Sequence, residues 1–173
     1  MFAPALALLT SASLASATAI KALAPGADAL RGQTNWTLNA VSATAVALQD
    51  APAGTPSNIS ASLVSGELKM SCPFADYHGV LVPVEGTDPA QYTFEFAKVG
   101  AELAAGSIAD GWTESNLVDD LSHPDLKKLA NSKAGKGVFD VTSANFNFPA
   151  LTFKPVEGEG YAIVIDYAHD ITC

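Results

Sequence analysis

Hydrophobic residues in this chain recur at every second position, and that period constrains the fold more than any other feature. Tyr92, Phe94 and Phe96 alternate with Thr93, Glu95 and Ala97, and Tyr161, Ile163, Ile165 and Tyr167 repeat the pattern near the C-terminus. The same alternation runs through Trp36-Leu38-Ala40, Ile59-Ala61-Leu63, Leu68-Met70-Cys72, Val80-Val82-Val84 and Phe146-Phe148. Successive side chains of a strand point to opposite faces, so such runs place one face inward and one outward in antiparallel sheets. Turn chemistry separates them at Asp50-Ala-Pro-Ala-Gly54, Glu85-Gly-Thr-Asp-Pro89, Gly135-Lys-Gly137 and Glu157-Gly-Glu-Gly160.

The pattern predicts a mainly β chain, an antiparallel β-sandwich or jelly roll of about seven or eight strands. One stretch departs from it. Residues 113–130 read as a pair of short helices, with Leu117, Val118 and Leu121, then Leu126 and Leu129, and Ser122 as a cap beside Pro124. This predicts a short helical crossover inside the sandwich.

The N-terminus is read apart from that domain. Residues 1–20 carry no charge, and up to Gly66 the only ionised side chains are Lys21, Asp28, Arg31 and Asp50. Soluble monomers keep charge on their surfaces, so this third is expected either to be covered by other copies of the chain or to present a Ser-, Thr- and Asn-rich surface that is polar without charge. Ser and Thr residues dilute the apolar stretch too much for a stable membrane span. A secretory leader lacks its basic start here, although Ala15-Ser-Ala17 suits a cleavage site. Pro25-Gly26 breaks the chain after it. The expected division is an apolar assembly segment, or leader, over residues 1–24 and a β-sandwich domain over residues 33–173. Phe2, Leu6, Leu8, Leu9, Leu14, Ile20 and Leu23 are the expected assembly contacts.

Charge excludes several partners. The net charge is −9, with only nine Lys and Arg in 173 residues. Nucleic acid requires clustered cations to displace counterions, so it is not an expected partner. Lys127, Lys128, Lys133 and Lys136 crowd one stretch and read as a solvated helix end. The cysteines, Cys72 and Cys173, form an isolated pair without a CxxC motif, which predicts a disulfide and an oxidising compartment. The sequons at Asn35 and Asn58 agree with export as possible glycosylation sites.

Catalytic patterns are missing: no GxSxG, Walker loop, GxGxxG or HExxH occurs. Met70, Cys72 and His78 have the donor types of a copper site but not the usual order. Cys72 has no positive neighbours to activate it as a nucleophile. Asp119-Asp120 and Glu157/Glu159 read as solvated surface rather than a glycosidase pair. Glu85, Asp88 and Asp110 have the oxygen chemistry for surface calcium, without EF-hand spacing.

The expectation is therefore no enzyme, no cofactor and no metal. It is a self-assembling structural subunit of an extracellular filament, pilus-like or virion (coat or tail) assembly, whose partners are other copies of itself. The alternative is a secreted carbohydrate- or ligand-binding β-sandwich module that uses Trp36 or Trp112.

Overall fold

The computed structural model describes residues 18–23, 35–40, 46–51, 59–116, 125–145 and 148–170. The strands are β1 (Thr18–Leu23), β2 (Asn35–Ala40), β3 (Val46–Ala51), β4 (Ser60–Val64), β5 (Glu67–Cys72) and β6 (Tyr77–Val84). They continue with β7 (Gln91–Lys98), β8 (Trp112–Asn116), β9 (Leu126–Asn131), β10 (Val138–Asn145), β11 (Phe148–Lys154) and β12 (Ala162–Asp170). No helix occurs among the described residues, and the antiparallel strands make sheets of six and three, curved as a half-barrel.

The six run in the order β10-β11-β7-β6-β5-β4, and the three in the order β12-β9-β8. β1 joins them. Along one edge it pairs with β12 from Thr18↔Asp170 to Leu23↔Ala162. Along the other, Thr18 and Ala19 pair with β4, while Lys21 and Ala22 pair with β2. β2 and β3 form a hairpin that leaves the sheet there.

Alternation places the core. Phe94 and Phe96 on β7 and Ile163 and Ile165 on β12 are each at most 1% exposed and face one cluster with Leu68, Leu81, Leu129 and Leu151. Phe94 lies at its centre, in edge-on contact with Phe96, Trp112 and Phe139 at 5.3, 5.6 and 6.3 Å. The curvature closes on this ring: Trp112 of β8 reaches across and donates its indole N–H to the Gly79 carbonyl of β6 at 3.0 Å. Phe139 of β10 exchanges both backbone hydrogen bonds with Tyr161, just before β12.

The helical expectation is corrected here. The helical crossover is replaced, in its described part, by strands β8 and β9, residues 117–124 lying outside the described residues. The three-residue spacing of Leu126 and Leu129 imitates a helix. β9, however, is flanked by β8 and β12, and its inward positions are Leu129 and the buried polar Asn131. β1 precedes Pro25-Gly26, and its Ile20 is fully buried in the core. Cross-strand pairing, not the local break, decides where the sheet starts.

The β4–β5 hairpin turns on Ser65 and Gly66, both in the left-handed region at φ 53° and 82°. A two-residue turn of this twist favours Asn before Gly, and serine is strained there. Ser65→Asn is expected to raise stability by roughly 0.5–1 kcal/mol in urea denaturation, with an unchanged m-value.

Candidate functional site

A cleft of about 570 Å³ opens beside the three-stranded sheet. Thr113 and Ser115 line it from β8 and Lys128 and Ala130 from β9; Lys136, Phe139, Phe153, Val156, Glu157 and Tyr161 line the rest. Strand register accounts for the first group, because Thr113 pairs with Ala130 and Ser115 with Lys128, and these positions share a face.

Asn131 shapes one wall. It is 3% exposed, and its amide donates to the Asp110 carbonyl at 3.0 Å. Its side-chain oxygen accepts from the backbone N–H of Lys133 and of Ala134 at 3.0 and 3.1 Å. The turn after β9 is thus folded back around one amide, a local side-chain bond of the type that competes with regular structure. Gly137 then passes against the Lys154 carbonyl and the Phe153 ring so closely that any Cβ would overlap both. Phe139 and Phe153, 5.4 Å apart, belong to the core as well as the cleft, so the floor is anchored by burial.

The lysine cluster divides here. Lys127 donates to the Asn116 side chain at 2.7 Å, and Lys133 pairs with Asp110 at 2.5 Å. The hydrogen bond from Lys133 holds the Asp110 carboxyl below its ordinary value. Lys128 and Lys136 line the cleft with no hydrogen-bond or ion-pair partner among the described residues. Lys127 and Lys128 thus occupy opposite faces of a strand, not a helix end. Among the described residues no histidine lines the cleft, and the chemistry they offer is charge, hydroxyl hydrogen bonding and aromatic contact.

The residues singled out in the sequence are dispersed. Cys72 is 2% exposed and disulfide-bonded, which denies a copper ion its thiolate; Cys173 lies outside the described residues. Among the described residues no group of three His, Cys, Asp or Glu could hold a metal ion. Phe2, Leu6, Leu8, Leu9, Leu14, Asn58 and the Asp119-Asp120 pair also lie outside them. Ile20 and Leu23 are on β1, and Asn35 begins β2, beside Trp36. Trp112, a candidate sugar platform, is 1% exposed and belongs to the core instead. No helix among the described residues is long and apolar enough to cross a membrane. Asn131, which shapes the cleft, has no role in the sequence reading, and Gly137 is read there only as part of a turn; the signal for Asn131 is an Asx-type turn in Asn131-Ser-Lys-Ala-Gly135.

Glu114 points to the opposite face of β8 and accepts from the Tyr167 hydroxyl at 2.7 Å. Burial and this hydrogen bond push the Tyr167 phenol up to about 12. Folding raises this pKa, so the contribution of the contact is complete below the ordinary phenol value near 10 and is lost as pH rises through about 12. Ultraviolet titration should show one of the four tyrosines ionising last, and Glu114→Gln should bring it back toward the others. Trp112→Ala should lower stability by roughly 3–5 kcal/mol in denaturant melts, as expected of a core ring.

Comparison of the chain with protein-family models, with curated proteins and with solved structures returns no match.

Proposed function

We propose that this chain is a self-assembling structural subunit of an extracellular filament, pilus-like or virion assembly. On this reading the half-barrel is its jelly-roll-type body, and copies join through the N-terminal segment. The observation that carries the reading is the position of β1. An uncharged apolar stretch, residues 1–17, runs directly into the strand that joins the two sheets, and Ile20 of that strand is fully buried.

Strand pairing is local and does not depend on which copy supplies the strand. A neighbour's β1 presented to β4 and β12 makes the same ladder, which is strand addition between chains. Repeated head to tail, such a contact does not close and yields an open polymer. Phe2, Leu6, Leu8, Leu9 and Leu14 extend the contact, each contributing roughly 1.5–3 kcal/mol if fully buried, before ordering entropy is subtracted. The disulfide at Cys72, with Cys173 as the other cysteine of the sequence, suits an oxidising extracellular or cell-surface setting. Neither a cofactor nor catalysis is part of this reading.

A secreted ligand-binding module is the second reading, favoured by the cleft. Solution size separates the two. The intact chain should polymerise at high concentration by sedimentation and electron microscopy. Removing residues 1–17, or introducing Leu9→Asp, should leave β-type circular dichroism and shift polymer formation to at least about tenfold higher concentration, because the flanking apolar contact is lost while β1 remains. Removing residues 1–24 should instead unfold the chain, because β1 goes with them. An intact chain that stays monomeric at high concentration rejects the subunit reading.

A further inference from the structure

We propose that the cleft between β9 and the segment 155–161 binds a small organic monoanion, a carboxylate carried on an apolar body. This goes beyond the assembly reading and does not depend on it.

The charge balance of the lining selects the ligand. Lys128 and Lys136 bring ammonium groups with no partner among the described residues, whereas Lys69, Lys133 and Lys154 are each paired with a carboxylate. Among the described residues Glu157 is the lining carboxylate, so the described lining carries an excess of one positive charge. One negative charge neutralises it. A polyanion meets Glu157 and a chain whose overall charge is −9, and gains little.

The rest of the lining selects the body. Phe139, Phe153 and Val156 offer carbon surface beside the lysines, and Val156 is 46% exposed. Ser115 adds a hydroxyl that can donate to a carboxylate oxygen, whereas Thr113 and Ser132 already donate theirs to the Ala130 and Gly111 carbonyls. An apolar cleft with a few convergent polar groups is the usual construction of a small-molecule site. Gly137 and the Asn131 turn are fixed by packing and hydrogen bonds, so the walls exist before a ligand arrives.

The test uses the intact chain and octanoate as probe, by calorimetry and by amide chemical-shift mapping. Octanoate should bind saturably in the millimolar range or tighter, with shifts centred on residues 128–139 and 153–161. Octanamide, with the same body and no charge, and inorganic phosphate, with charge and no body, should each bind about tenfold more weakly or not at all. The double variant Lys128→Gln/Lys136→Gln should weaken octanoate about tenfold. Glu157→Gln, at an exposed position, should tighten it by about two- to fivefold by removing a like charge. The opposed directions exclude a general loss of folding. Absence of saturable octanoate binding overturns the proposal. Octanamide binding equal to octanoate overturns the anion, phosphate binding equal to octanoate overturns the apolar body, and insensitivity to the lysine variant overturns the site. The calorimetric results are read whether or not the chain polymerises, so they do not depend on the assembly reading.

Discussion

The pairing of β1 with β12 on one edge, and with β4 and β2 on the other, is the constraint on which the molecule depends. Without it the six- and three-stranded sheets share no hydrogen-bonded connection through this seam. The β2–β3 hairpin also loses its attachment to β1, and Ile20 leaves a gap among Ile59, Ile163 and Ile165. Exposed strand edges invite pairing with other chains, and this seam is satisfied by a segment at the far end of the sequence from its partner. The aromatic cluster does the complementary work from within. Phe94 touches rings from β7, β8 and β10, so it ties the two ends of the curved sheet to its middle.

Much of this architecture could be read from residue order, and what could not has identifiable causes. Phe94 and Phe96, or Ile163 and Ile165, announce their face because period two admits one inward set. The strands that escaped notice are those whose pattern is diluted. β8 has one buried residue, Trp112, followed by four exposed ones. β9 carries adjacent lysines and a buried asparagine where an apolar residue was expected. β1 is alanine-rich and followed by Pro25-Gly26, so local grammar marked a boundary that tertiary pairing ignores. The cleft was less legible still. Its lysines were visible as a cluster, but which of them are paired depends on Asp110 and Asn116, which approach only through the β8–β9 ladder.

Core and cleft share residues. Phe139 and Phe153 are 5% and 4% exposed, and each is packed against the other and against the central cluster while forming the cleft floor. A floor built from the core cannot shift without disturbing Phe94, which confines adjustment to the rim, where Val156 and Glu157 are exposed. Ligand affinity at the proposed site can therefore be adjusted at the rim without disturbing the fold, while the shared floor ties the rest of the site to the core.

The chain ends meet late. Ile20 faces Ile165, about 145 positions further along, and at synthesis rates of roughly 5–20 residues per second the wait is on the order of ten to thirty seconds. During that interval β1 has no partner on its β12 side within its own nascent chain. Under the proposed strand addition a previously completed copy competes for it, so crowding of growing chains, and not only the finished protein's affinity for itself, would set how often the seam is closed from within. Translation speed becomes a quantity that the topology makes consequential.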